Sequence, residues 1–206
     1  MTARALRRLL AALIGGALWA FASTLAAQGA RPEPPANLRW QDGVFSWHYS
    51  RTAQPAWLAP GAALRLFREA ADVWAGCGVR IEFAGETDVR AGKADGVNVT
   101  GWSAALKRGM RGITFKRRAG SALLEADVVI AENNAQLQAS PELLSKVVAH
   151  EFGHALGLFH SPDCRDLMSF GADCRGVSPQ DLPQRPAAGD LEQCLRRYSQ
   201  PTTGKN

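Results

Sequence analysis

The sequence predicts an α+β domain: one mixed β-sheet with helices packed on it. Three observations predict this. Five short runs alternate or cluster apolar residues as strands do, and three longer stretches carry apolar residues at helical spacing. Their order is strand, helix, four strands, helix, loop, helix, of which a mixed sheet with helices packed on it is the natural result. The 206 residues, 46% hydrophobic and 21% charged, suffice for one good core and fall short of two.

In chain order, VFSWHYS (44–50) alternates apolar and polar residues and reads as a strand. PGAALRLFREAADVWAG (60–76) places Leu66, Phe67, Ala70, Val73 and Trp74 on one helical face and stops at Gly76 and Gly78. VRIEFAG, VNVTGW, ITFKR and ALLEADVVIA follow as four strands. Ser140 then offers an N-cap and Pro141 a first-turn proline, opening a helix through Glu142 to about Leu156. Leu191, Cys194, Leu195 and Tyr198 share one side of a last helix near 187–199.

The ends carry different signals. Arg4, Arg7 and Arg8 precede an apolar run from Leu9 to Ala22 and small residues at Ala26 and Ala27, the pattern of a secretory signal peptide over 1–27. The apolar run is shorter than the roughly 18 residues of a membrane span, so no stable membrane anchor is expected. Residues 28–37 read as an extended leader, 38–199 as the folded domain and 200–206 as a loose tail. Without 1–27, 21 basic residues face 19 acidic ones, a net charge of +2 that gives no reason to expect nucleic acid as a partner. Cys77, Cys164, Cys174 and Cys194 all lie beyond the signal pattern. Export to the periplasm or the medium makes two disulfides the expectation over a thiolate zinc site, since no pair has C-x-x-C spacing.

Three of the four histidines fall within eleven residues, in HEFGHALGLFHSPDCRDLMSF (150–170). On a helix, His150 and His154 project from one face, one turn apart. Gly157 stands where the chain must leave the helix through left-handed backbone angles, and that reversal can bring His160 round as a third ligand. Three imidazoles leave one position of a tetrahedral zinc open to water, the mark of a catalytic site. Glu151, beside the first ligand, can take that water's proton.

The pattern H-E-x-x-H-x-x-G-x-x-H followed by a methionine resembles the metzincin signature. Ser161 directly after His160, and Met168 eight residues after it, resemble the matrixin branch of those zinc peptidases. LRWQDGVFSWHY, VWAGCGVRIEF and EADVVIAEN support the likeness over roughly 38–199. The resemblance implies a twisted five-stranded mixed sheet with one antiparallel edge strand, an active-site helix, a C-terminal helix and a cleft. It further implies a zinc endopeptidase: His150, His154 and His160 on one catalytic Zn2+, Glu151 as base for the metal's water, Met168 as the floor. Calcium is compatible with the resemblance, but no residue pattern supports it. The expected partner is a protein or peptide substrate, acted on by a monomer. A zinc hydrolase of cell-wall peptides and a non-catalytic zinc-stabilised binding module are the alternatives; the second leaves Glu151 without a task.

The chain also departs from its relatives. No cysteine lies between the signal pattern and Trp40, so no cysteine-switch propeptide is expected and activity should follow signal removal. His48 is the one histidine outside the motif and reads as an ordinary strand residue, leaving no set for a second, structural zinc. Phe170 stands where astacin-like relatives place a tyrosine, and the proline common after the methionine is missing. KRGMRGITFKRR (107–118) holds six cations and no acid. That is a solvated loop and a charged edge strand or, if it borders the cleft, a reason to expect acidic substrates. The expected disulfides are Cys164 to Cys174, bracketing Met168, and Cys77 to Cys194, tying the last helix to the end of the first, against four free thiols.

Overall fold

The computed structural model describes residues 37–169, 174, 177–178, 181 and 183–199. The expected signal peptide over 1–27, all but the last residue of the expected leader, the expected tail over 200–206, and Phe170 lie outside them. Five strands form one mixed sheet: β1 (Val44–Ser50), β2 (Arg80–Thr87), β3 (Val99–Ser103), β4 (Gly112–Ala119) and β5 (Ala122–Ala131), in the order β2-β1-β3-β5-β4. All pairings are parallel except β4 with β5, so the antiparallel strand is an edge. The parallel connections require crossovers, and α1 (Ala62–Asp72) supplies the one between β1 and β2.

Alternation sets the packed face. Phe45, Trp47 and Tyr49 of β1 are buried on one side, where Tyr49 meets Phe67 of α1 at 5.4 Å between ring centres. Trp47 meets Phe152 of α3 (Pro141–Ala155) edge-on at 5.3 Å. β5 is buried along nearly its whole length because it is covered on both faces. Its two acids explain how: Asp127 accepts the backbone N–H groups of Gly92, Lys93 and Val99, and Glu125 those of Asp95 and Gly96. These carboxylates fold the 88–98 loop over the sheet.

α3 begins as its sequence predicts, with the Ser140 hydroxyl accepting the Leu143 N–H and Pro141 in the first turn. One element escaped the sequence reading, α2 (Ala135–Ala139), capped by the Asn134 side chain. Five residues are too few to show a helical period. α4 (Ala188–Tyr198) closes the described chain and is tied to the 3-10 turn after α1 by a Cys77–Cys194 disulfide with Cα atoms 5.2 Å apart. Cys164 and Cys174 form the second, at 5.6 Å. Among the described residues no helix is long and apolar enough to cross a membrane.

The end of α3 is a complete Schellman motif. Gly157 has φ +89°, its N–H bonds the His154 carbonyl, and the Leu158 N–H bonds that of Gly153. The carbonyls of Ala155 and Leu156 accept from the Trp40 indole at 3.0 Å and the Tyr198 hydroxyl at 2.9 Å. A β-carbon at Gly157 would land on the Leu38 carbonyl oxygen as well as forcing a left-handed angle on an L residue. Gly157→Ala is therefore expected to destabilise the fold by about 2–4 kcal/mol, read from denaturant unfolding with the disulfides intact.

Candidate metal centre and active site

His150 and His154 stand one turn apart on α3, and the Gly157 reversal carries Leu158, Phe159 and His160 back along it. The three imidazoles converge: one ring nitrogen from each lies within 4.8 Å of the others, and the Nε2 atoms of His154 and His160 are 3.1 Å apart. Nδ1 of His150 faces the Leu167 carbonyl at 2.8 Å and Nδ1 of His154 the Leu158 carbonyl at 2.9 Å. A carbonyl only accepts, so each Nδ1 carries the proton and each Nε2 presents a lone pair to the shared centre. Burial strengthens this: it holds His150 down at about 4 and His154 well below its ordinary value, so both rings stay neutral. Neutral, oriented, convergent imidazoles are the donor set zinc takes, and the residues fit that ion.

Glu151 is buried beside this group. The Thr114 hydroxyl of β4 donates to its Oε2 at 2.7 Å and also lies 2.9 Å from its backbone carbonyl. Burial raises the Glu151 carboxyl to about 7, against the lowering effects of the Thr114 bond and of the Lys116 charge.

Met168 is fully buried in the loop after the histidines. A β-carbon on Gly153 would strike its sulfur and come within 2.7 Å of the Trp74 ring, so the glycine between the two helical histidines is what lets the methionine and the tryptophan reach α3. The Trp74 indole uses that gap to donate to the Ala149 carbonyl at 2.8 Å. The 161–169 loop is closed on itself by Ser161 N–H to Met168 O at 2.9 Å and by the Ser161 hydroxyl to Asp166 at 2.6 Å. Asp190 of α4, fully buried, accepts the N–H groups of Leu167 at 2.6 Å, Met168 at 3.0 Å and Ala187 at 2.9 Å.

The structure thus brings together His150, Glu151, His154 and His160, with Met168 and the Cys164–Cys174 bridge in the loop beneath. His48 is elsewhere, in β1. Sequence reasoning missed Thr114, Asp166 and Asp190. Asp190 was accessible in part, as an acid three residues after the helix start at Ala187, but its bonds to a loop more than twenty residues away were not. A space of about 450 Å³ lies between Leu66 of α1, Val73 just beyond it, and Ser145 and Ala149 of α3, and no histidine lines it.

A three-imidazole centre beside a buried carboxylate, set under a five-stranded mixed sheet, defines a zinc-peptidase type of site. The chain belongs to the matrixin family of zinc metallopeptidases, whose family model matches residues 39–182. No curated protein matches it. Among solved structures, the GM1-bound form of the ECX AB5 holotoxin is similar at 15% identity over 75% of this chain and 80% of that one, with a TM-score of 0.49. Archaemetzincin from Methanopyrus kandleri is similar at 13% identity over 81% of this chain and 99% of that one, with a TM-score of 0.45.

Removing the Asp190 carboxylate leaves three N–H groups without an acceptor, two of them in the loop that holds His150 through Leu167. Asp190→Ala is expected to lower stability by about 2–5 kcal/mol and to weaken metal retention, measured by unfolding and by chelator competition.

Proposed function

We propose that residues 38–199 form an exported zinc-dependent endopeptidase in which His150, His154 and His160 hold the metal and Glu151 is the catalytic base. The observation that carries the reading is the convergence of three imidazoles, each helical histidine pinned by a backbone carbonyl, beside a buried carboxylate that a metal-binding module would have no reason to keep. Zinc at this position supplies Lewis acidity, polarising the scissile carbonyl and lowering the pKa of water toward about 7.

The chain's own groups do the rest. Thr114 occupies Oε2 of Glu151 and so aims the carboxylate, leaving Oε1 to accept a proton from the attacking water. The water oxygen bonds the carbonyl carbon, the C–N bond breaks, and Glu151 delivers the proton to the departing amine nitrogen. Met168, Trp74 and Gly153 fix the helix that carries both histidines. β4 is the outer edge of the sheet and reaches Glu151 through Thr114, so an extended peptide pairing along it would lie over the site. Two disulfides support the export reading, because they persist in oxidising compartments.

Glu151→Gln is expected to lower kcat/KM by about 100-fold or more while the protein still retains one equivalent of zinc, by peptide hydrolysis and metal analysis. Equal activity of the variant and the parent refutes the assignment. Thr114→Val leaves the carboxylate in place but unaimed, and a fall in kcat of roughly tenfold with unchanged zinc content is expected from loss of a charge-assisted hydrogen bond. Digesting casein and a cell-wall preparation side by side distinguishes a general endopeptidase from a wall hydrolase.

A further inference from the structure

Beyond the catalytic group, the walls of the site are charged with one sign. Thr114 and Lys116 are two apart on β4, so they share the face turned toward α3, and the register is regular until the shift between Arg117 and Arg118. The Lys116 ammonium lies over the Phe159 ring, 5.6 Å from its centre, one residue before His160. The Arg197 guanidinium of α4 lies 5.2 Å from the centre of the same ring. Two cations therefore flank one aromatic side chain next to the third histidine.

Neither cation has a carboxylate partner among the described residues. Arg197 is 6% exposed; one of its NH groups donates to the Gln193 carbonyl at 2.8 Å, and its Nε is buried with no partner. Lys116, half-buried, makes no ion pair; burial lowers its pKa, the Glu151 charge opposes that, and the Arg197 charge adds to the lowering. Of the acids nearby, Asp190 accepts three backbone N–H groups and Glu192 pairs with Arg196, while Glu151 accepts from Thr114 and stands in electrostatic reach of Lys116 without pairing with it. On the other flank Lys146 is buried on α3 one turn before His150, in electrostatic reach of Arg111 and, with the opposite sign, of Asp190. Holding charges out of water without counter-ions is unfavourable, and a ligand carboxylate relieves it.

We propose that this site selects peptides with an acidic side chain on the Phe159 side of the scissile bond, that Lys116 contacts that carboxylate, and that Arg197 supports it through the field behind Phe159. The proposal rests on the endopeptidase reading above and names its substrate class. Lys116 is a specificity-determining residue, exposed enough to be reached; Arg197 acts from beneath.

The test uses the zinc-loaded chain without its signal segment and pairs of peptides that differ only by Glu against Gln at one position on either side of the cleavage point. A charge-assisted contact predicts that Glu is favoured by about tenfold or more in kcat/KM at low salt, at a position on one side. Lys116→Met should erase most of that ratio, Lys116→Arg should keep it, and Lys116→Glu should turn it toward Lys-containing peptides. On the parent chain, which needs no substitution to fold, raising salt from about 0.05 to about 0.5 M should shrink the ratio. Cleavage that depends on Glu151 yet treats Glu and Gln peptides alike, or whose preference survives Lys116→Met, overturns the proposal and leaves the peptidase reading standing. No cleavage of any peptide, or cleavage that survives Glu151→Gln, overturns both.

Discussion

At the end of α3 the backbone must turn back within three residues so that a histidine beyond the helix can face two on it, and much of the molecule is built around that turn. Gly157 takes the left-handed angle, and its N–H and that of Leu158 close the last helical carbonyls. The carbonyls left over are taken by Trp40 from the N-terminal side and Tyr198 from the C-terminal helix. Leu38 packs so close that a methyl group has no room. Segments far apart in sequence therefore meet at the reversal. Unmet carbonyls in that buried place would each cost free energy comparable to a lost hydrogen bond, which explains why aromatic donors were recruited there.

Buried carboxylates organise the irregular backbone elsewhere by the same means. Asp190 gathers three N–H groups and fixes the loop that carries Met168; Asp127 and Glu125 gather five and press the 88–98 loop onto the sheet. Loops without a regular ladder need acceptors, and an acidic oxygen accepts several donors at once. The Cys164–Cys174 bridge and the Ser161–Asp166 bond then hold the methionine loop from its other side. The supports around the three-histidine group are covalent, aromatic and hydrogen-bonded together, and they come from different elements.

The charge of the cleft has a different logic. Lys116 and Lys146 stand near the histidines, while of the acids nearby Asp190 holds backbone N–H groups and Glu192 pairs with Arg196. Glu151 stands beside the histidines with its carboxylate held by Thr114, and the cations near Phe159 are the basis of the acidic-chain preference proposed above. A neutral lining would have been easier to bury.

The sequence by itself determined the element order, because alternation, helical spacing and the Ser140–Pro141 start are local signals that depend on no distant partner. It likewise carried the histidine spacing and the glycine that the reversal requires, since one helix and one tight turn place those groups. Tertiary structure decided what adjacency in sequence cannot encode. Thr114 meets Glu151 only because β4 is the edge strand that runs beside α3, and Asp190 meets Leu167 only because α4 packs back on the methionine loop. The short α2 was hidden for a local reason: one turn shows no period. The six cations of 107–118 were legible as a run, but not their division of labour. Register sends Lys116 to Phe159 while Arg117 pairs with Glu125 on the other face, and only the pleat of a paired strand separates neighbours in that way.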